Sequence, residues 1–324
     1  MTPQTRALTG IQPSGTPHLG NWLGAIEPAL SLTEQHEGFY FIASYHALTT
    51  SRDAALLRDR INDVACTWLA LGLDPSRTVL WEQHAIPEVC ELSWILGCMT
   101  NKTLLDKANA FKDATAKGKK FVGVGLYTYP VLMAADILAF DSNIVPVGQD
   151  QKQHVEMTRN MAQTFNHHFG ELLVLPEPLI QSNVALVPGI DGQKMSKSYD
   201  NTIPLFLPPK KLRKRIMAIK TDSRSLEDAK VPETCTVFQL YSLFGTADQT
   251  ADLASRYRTG GLGYGHAKQE LFELVSARLA EPREQYQNLR SRPDDVQDIL
   301  QDGASRARKI AQATLHRVRA GIGL

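Results

Sequence analysis

A turn rich in glycine and proline follows the first apolar segment of the chain and constrains the fold around it. Residues 6–11 have the composition of a short strand, and the next ten residues contain two glycines and two prolines before a helix begins near Asn21. Glycine permits conformations and close approaches that a Cβ would block. Backbone amides at the start of a helix can bind phosphate. The turn therefore predicts an anion-binding loop, although it is neither a Walker sequence nor GxGxxG.

Strand and helix patterns alternate over the first two hundred residues. Residues 38–43 are a continuous apolar run, typical of a strand buried on both faces. Further strands are predicted at 78–81, 143–147 and 184–187, with amphipathic helices between them. This order predicts a Rossmann-like α/β fold with a parallel sheet, whose ligands bind at the carboxyl ends of the strands.

Strand patterns end near residue 203, and helical patterns occupy the rest of the chain. We therefore expect two domains, a catalytic α/β domain at 1–203 and a smaller α-helical domain at 204–324, whose last helix can pack back on the first domain.

Two segments are unusually basic. Residues 101–125 fit either a solvated insertion or a segment near phosphate or another subunit. Residues 210–215 fit either a solvated helix face or a contact for nucleic-acid phosphates.

Charge and cysteine usage exclude several classes of protein. The net charge of +1 over 324 residues argues against a uniformly basic nucleic-acid binder, so such contacts must come from local patches. The four cysteines show no CxxC spacing, which argues against a thiolate metal site or a disulfide framework. The sequence has neither a signal-peptide pattern nor an apolar run of about 20 residues. We expect a cytoplasmic protein with no membrane partner and no protein-bound metal or prosthetic group.

An apolar stretch at 127–140 carries a single ionisable residue, Asp136, and is predicted to be a helix led by Pro130. A carboxylate there is costly unless a donor or a cation meets it. Asp136 can cap local backbone or pair with an arginine. Alternatively, it can line a pocket with Tyr129 and Met133, which share its helix face, for a flat ligand bearing one N–H.

A second glycine-containing loop holds the pentapeptide Lys-Met-Ser-Lys-Ser at 194–198, directly after Gly192 and Gln193. Two lysines on a mobile loop can follow the negative charge that develops on a departing pyrophosphate. The alternative is a solvated basic loop.

The two loops together carry a family resemblance. Thr-Pro-His-Leu-Gly-Asn at 16–21 resembles the HIGH element of class I aminoacyl-tRNA synthetases, and Lys194–Ser198 is their KMSKS signature. With the stretches at 10–15, 129–138 and 145–154, the chain resembles the bacterial tryptophanyl-tRNA synthetases. The resemblance implies a Rossmann domain, an α-helical anticodon-binding domain, a homodimer, and the activation of L-tryptophan with ATP and Mg²⁺ for transfer to tRNA(Trp).

The resemblance also assigns roles to residues. The catalytic residues it implies are Lys194, Lys197, His18 and Gln12. Those implied to bind tryptophan are Asp136, which would accept the indole N–H, Met133, Tyr129, Gln151 and His46. Those implied to bind ATP are Gln12, Pro13, Ser14, His18, Gly20, Asn21, Gly148, Gln149, Asp150, Val184, Lys194, Met195, Ser196, Lys197 and Ser198.

Three departures from the best-known bacterial members bear on these roles. Ser44 and Tyr45 stand where those members have Asp-Gln, Gln149 replaces a glutamate, and the segment 188–193 is shorter. Three other interpretations compete with this one. A tyrosyl-tRNA synthetase would require polar pocket groups that suit a phenol. A small nucleotidyltransferase would lack the second signature. A non-catalytic RNA-binding paralogue would not need both signature lysines.

Overall fold

The computed structural model describes residues 5–108, 111, 122–148, 151–180 and 187–324, and a parallel β-sheet lies at its centre. Over these residues the sheet has five strands in the order β3-β2-β1-β4-β5, and neighbouring strands pair in parallel. The strands are β1 (Arg6–Ile11), β2 (Glu37–Ile42), β3 (Val79–Glu82), β4 (Ile144–Val147) and β5 (Glu177–Ile180). The strand order reverses between β1 and β4, which is where open parallel sheets bind their ligands.

Helices flank this sheet and then continue without further strands in the described part of the chain. Helix α1 (Leu19–Asn21) passes through a π-helical turn (Trp22–Ile26) into α2 (Glu27–Leu32). The helices before residue 200 are α3 (Ser44–Ala47), α4 (Ala54–Ala70), α5 (Glu88–Met99), α6 (Lys102–Leu105), α7 (Val124–Leu138) and α8 (Lys152–Phe169). Those after it are α9 (Pro209–Met217), α10 (Thr236–Tyr241), α11 (Ala247–Thr259), α12 (Tyr264–Arg278), α13 (Ala280–Arg290) and α14 (Pro293–Ile322).

Alternate side chains of β2 enter two different cores, as the period of a strand requires. Phe39 and Phe41 pack in a cluster with residues of α5, α7, α8 and α14. Tyr40 and Ile42 pack in a second cluster with residues of α4, and this cluster continues into α9–α13. Both faces of the sheet are therefore covered, which explains the continuous apolar run in β2.

The junction between the α/β part and the helical part lies inside the second core. Ile203 and Leu205 are fully buried in this cluster, which spans both parts of the chain. The division at residues 203 and 204 stays a prediction, because the two parts share this core.

The last helix returns to the sheet and lies against its edge strand. Gly303 of α14 approaches the backbone of β3 so closely that a Cβ on it would lie 1.9 Å from the carbonyl oxygen of Leu80. A glycine is therefore required at this contact.

The parallel α/β fold predicted from the sequence is confirmed, with two differences in detail. Helix α7 begins at Val124, so Pro130 lies inside the helix instead of leading it. Strand β5 at Glu177–Ile180 was not predicted, since Pro178 interrupts its pattern; proline is tolerated there because β5 is an edge strand. The strand predicted at 184–187 lies mostly outside the described residues, as does much of the basic segment 101–125. No helix in the described part of the chain combines the length and apolarity that a membrane span requires.

Candidate active site

The turn after β1 leads directly into α1 at the carboxyl edge of the sheet. Residues 203–205 hold it in place through two backbone hydrogen bonds, from the Leu19 amide to the Ile203 carbonyl at 3.0 Å and from the Leu205 amide to the Pro17 carbonyl at 3.1 Å. The predicted anion-binding loop therefore begins a helix at the switch point between β1 and β4. The start of the helix provides the partial positive charge expected there.

His18 occupies the position just before α1 and is almost completely buried. Its backbone amide donates to Oδ1 of Asn21 at 3.1 Å, which fixes the first turn of the helix. Burial, followed by the nearby charge of Lys197, lowers the pKa of His18 to about 4, so its imidazole is neutral near pH 7. Its Nδ1 is buried without a hydrogen-bond partner among the described residues. A neutral, unpaired ring nitrogen at a helix start is suited to a hydrogen bond with a ligand.

The loop that carries the signature pentapeptide is fastened by Asn201, which is buried. The Asn201 Nδ2 donates to Oδ1 of Asp191 at 2.8 Å and to the Lys194 carbonyl at 3.0 Å, and its Oδ1 accepts from the Ser196 amide at 2.7 Å. One amide group thus joins the two ends of the loop. Lys194 and Ser198 are exposed beside it, while Met195 is buried.

This loop closes on the turn after β1. The Lys197 Nζ donates to the Gly15 carbonyl at 2.7 Å and lies 3.5 Å from Ser14 Oγ. The Gly20 amide contacts Sδ of Met195 at 3.3 Å. Gly15 has φ +142°, and a Cβ on it would lie 3.3 Å from Cδ of Lys197. The two motifs, more than 170 residues apart in sequence, therefore form one cluster.

Burial lowers the pKa of Lys197 to about 8, a shift that nearby Asp63 opposes and Arg60 reinforces. The ammonium group is thus partly desolvated and sits against the turn. A partly desolvated cation interacts more strongly with a phosphate than a solvated one does.

A second cluster surrounds Asp136 of α7, which is 2% exposed. Oδ2 of Asp136 lies 2.8 Å from Nε2 of His46, and Nε2 of Gln83 lies 2.8 Å from Oδ1 and 2.9 Å from Oδ2. Burial raises the pKa of the Asp136 carboxyl, and the hydrogen bonds from His46 and Gln83 oppose that shift. Among the described residues, Asp136 neither caps local backbone nor pairs with an arginine. Its partners there are two polar side chains that follow β2 and β3.

The other residues predicted to bind an amino acid lie on α7 and at the start of α8. The Tyr129 hydroxyl is hydrogen-bonded to Nε2 of His154, and its ring meets the His46 ring edge-on with 6.4 Å between centroids. Burial raises the pKa of Tyr129, so its hydroxyl stays protonated. Met133 packs half-buried against the adjoining core. The Gln151 amide donates to the Gly148 carbonyl at 2.9 Å at the start of α8.

A hydrogen bond joins the two clusters. The Gln12 Nε2, in the turn after β1, donates to the backbone carbonyl of His46 at 3.1 Å. His46 in turn contacts Asp136, so the turn after β1 and the cluster around Asp136 are adjacent.

The structure brings together most of the residues predicted for the site. Gln149, Asp150 and Val184 lie outside the described residues. Sequence reasoning missed Gln83, although it directly follows β3 at the carboxyl edge of the sheet, and that position was the available signal. No group of three or more His, Cys, Asp or Glu side chains within the described ranges is placed to hold a metal ion.

Comparison with known proteins shows which family and which solved structures this chain is similar to. Residues 1–280 match the family described as class I tRNA synthetases (W and Y). The tryptophan–tRNA ligase of Rhodopirellula baltica is 51% identical over 319 residues, which are 98% of this chain and 99% of that protein. The solved structure of tryptophanyl-tRNA synthetase from Campylobacter jejuni, complexed with ADP and tryptophan, has a TM-score of 0.92 and 47% identity. That match covers 99% of this chain and 100% of the other. The enzyme of Mycoplasma pneumoniae has a TM-score of 0.85 and 31% identity, with 99% and 98% covered.

Proposed function

Since the chain belongs to the tryptophan-specific class I tRNA synthetases, we propose that each of the two adjacent clusters binds one substrate for the adenylation of tryptophan. The turn after β1 and the signature loop hold ATP, and the pocket around Asp136 holds tryptophan. The observation that carries this assignment is the hydrogen bond from Gln12 to the His46 carbonyl, because it sets the two clusters side by side. The carboxylate of one substrate can then reach the α-phosphorus of the other.

On the ATP side, the neutral His18 meets the phosphates, and the dipole at the start of the helix favours their negative charge. A Cβ on Gly20 would lie 3.0 Å from Nδ1 of His18, as one on Gly15 would lie against Lys197, so the two glycines let these side chains lie close to the turn. Gly148, Gln149 and Asp150, between β4 and α8, are assigned to the ribose by the family resemblance. ATP enters as its Mg²⁺ complex, in which phosphate oxygens and water supply the metal's ligands.

On the tryptophan side, Asp136 accepts the indole N–H. A buried carboxylate that already receives two side-chain donors can take a further donor, because its oxygens offer about four lone-pair positions. Met133 packs on the indole ring, His46 lines the pocket beside the carboxylate, and Tyr129 with Gln151 meets the ammonium end.

The reaction needs no covalent intermediate with the protein. The tryptophan carboxylate attacks the α-phosphorus in line, the bond to pyrophosphate breaks, and Lys194 and Lys197 stabilise the charge that moves onto the leaving group. The terminal ribose hydroxyl of tRNA(Trp) then attacks the adenylate carbonyl and releases AMP.

The helical part, residues 204–324, is proposed to bind the anticodon arm of tRNA(Trp), and the enzyme to act in the cytoplasm, where charged tRNA is consumed. We also propose a homodimer. Helix α5 exposes a row of apolar or small residues in which Trp94 is 75% exposed. The other members of the row are Cys90, Gly97 and Cys98. Two copies of such a face can pair about a two-fold axis.

Pyrophosphate exchange tests the catalytic part of this proposal. Lys194→Ala and Lys197→Ala should each lower kcat and kcat/KM together, by about tenfold or more, because the charge they meet develops in the transition state. Circular dichroism and thermal melting control for folding. A rise in the KM for ATP with unchanged kcat would assign the lysines to ground-state binding and contradict the proposal.

A further inference from the structure

Gln83 has no assigned role, yet it is the most completely buried polar side chain beside Asp136, at 1% exposed. It lies in the short 3₁₀ turn after β3, and its amide group spans the gap between α3 and α7. Its Nε2 reaches both oxygens of Asp136, at 2.8 and 2.9 Å. Its Oε1 accepts from the Tyr45 amide at 2.8 Å and faces the His46 amide at 3.4 Å.

The orientation of this amide group follows from its partners. Backbone amides can only donate, so the Gln83 atom that faces Tyr45 and His46 must be the oxygen. The nitrogen is therefore directed at Asp136, to which it presents N–H donors. The reverse orientation would set N–H groups against N–H groups on one side, and would leave only an acceptor facing the carboxylate on the other.

The fixed orientation of the Gln83 amide group also affects Asp136. An N–H donor directed at both oxygens favours an ionised carboxylate, which only accepts hydrogen bonds. Oδ2 accepts from Gln83 and is contacted by His46, while Oδ1 contacts only Gln83 among the described side chains. Oδ1 is therefore the oxygen with the greater remaining capacity for a ligand's donor.

We propose that Gln83 is a positioning residue for amino-acid specificity: it holds Asp136 as an oriented acceptor, so that the pocket favours a ring that carries N–H. The inference rests on the proposed role of Asp136 toward the indole. Gln83 acts through Asp136 and does not touch the reacting atoms. The backbone of residues 45 and 46 fixes its direction, so this role does not depend on which side chain occupies position 45.

The test compares tryptophan with 3-benzothienylalanine, in which sulfur replaces the indole N–H. The measured quantity is the ratio of kcat/KM for the two amino acids in pyrophosphate exchange. Gln83→Met removes the donor at similar length, and Gln83→Glu replaces it with an acceptor. In both variants we expect the ratio to fall at least tenfold, through loss of activity with tryptophan, while the KM for ATP stays within about twofold of wild type.

The double variant Gln83→Glu/Asp136→Asn separates this role from a merely structural one. The two substitutions together restore a donor that faces an acceptor, because Nδ2 at position 136 can donate to the carboxylate at position 83. Its other atom, Oδ1, still accepts. We expect the double variant to recover at least part of the ratio that Gln83→Glu loses. Because it retains a polar group at both positions, it also tests the proposal if Gln83→Met fails to fold.

The outcomes distinguish this inference from the function on which it rests. If wild type does not discriminate against the sulfur analogue, or Asp136→Asn retains full discrimination, the contact between Asp136 and the indole is wrong. If those two arms behave as expected but the folded Gln83 variants keep the wild-type ratio, the role of Gln83 alone is overturned. A double variant no better than Gln83→Glu would also contradict it.

Discussion

The Lys197 ammonium donates a 2.7 Å hydrogen bond to the Gly15 carbonyl and so joins the signature loop to the turn after β1. In the described structure this lysine is held where the phosphates of ATP are proposed to lie. ATP would replace a neutral carbonyl acceptor with a charged one, and hydrogen bonds between charged groups are stronger. When ATP binds, the Lys197 ammonium can therefore exchange the Gly15 carbonyl for a phosphate oxygen as its acceptor.

The first prediction concerns pH. Burial lowers the pKa of Lys197 to about 8, so its charge is present below pH 8 and lost above it. If the charged form is required, kcat/KM for ATP should fall as the pH rises through about 8. The fall in kcat should come at higher pH, because bound phosphate favours the charged form. Lys197→Arg should retain the charge and remove this fall; an unchanged profile in that variant would exclude Lys197 as its cause.

The second prediction concerns the basic residues of α9. The side chains of Lys210, Lys211 and Lys214 are exposed and make no hydrogen bond or ion pair within the described structure. Arg213 and Arg215 are engaged with Gln269 Oε1 and the Thr202 carbonyl.

If these three lysines contact tRNA phosphates, replacing all three with alanine should raise the KM for tRNA. The slope of log affinity against log salt should fall by roughly one for each contact. Adenylate formation without tRNA is the control and should not change. An unchanged tRNA KM and salt slope would mean that tRNA follows another path across the protein.

The third prediction concerns stability. Gly303→Ala places a Cβ 1.9 Å from the Leu80 carbonyl oxygen, so α14 must move away from β3. Overpacking of this kind should lower the free energy of unfolding by about 1–3 kcal/mol. Gly265→Ala on α12 is the matched control, because nothing lies within 4 Å of its Cβ and alanine favours helix. Urea denaturation should show opposite shifts; similar midpoints would contradict the tight contact at Gly303.

The fourth prediction concerns assembly. Trp94→Glu places a charge in the centre of the exposed face of α5, and in a two-fold dimer it does so twice. The variant should shift from dimer to monomer when its mass is measured by light scattering at micromolar concentration. Val231→Glu, at a partly exposed apolar residue after residue 204, is the control. A variant at Trp94 with the mass of the wild type would remove α5 from the interface.

The sequence predicted four strands of the sheet, and a candidate site at their carboxyl ends, because both depend on local patterns. The apolar run in β2 and the glycine-rich turn after β1 are readable without knowledge of distant residues. The strand β5 was missed because Pro178 breaks its pattern. Among the described strands β5 lies at the edge of the sheet, where proline is tolerated, and the sequence alone does not show which strand lies there.

Gln83 was missed for a different reason. A single glutamine after a strand has no periodic or motif signal, and its role appears only when α3 and α7 are brought to it from 38 and 53 residues away. Asp136, in contrast, was conspicuous as the one ionisable residue in an apolar stretch. The partners of that carboxylate depend on tertiary packing, so the sequence showed the need for partners without identifying them.

The central claim, that Asp136 selects tryptophan by accepting its ring N–H, is tested most directly by pyrophosphate exchange with Asp136→Asn. Loss of a charged, oriented acceptor for a buried donor costs about 1.5–3 kcal/mol, or roughly tenfold or more in kcat/KM. We predict that loss with tryptophan, and little change with 3-benzothienylalanine, which has no N–H to offer. A folded variant that kept the wild-type preference for tryptophan over the analogue would contradict the account.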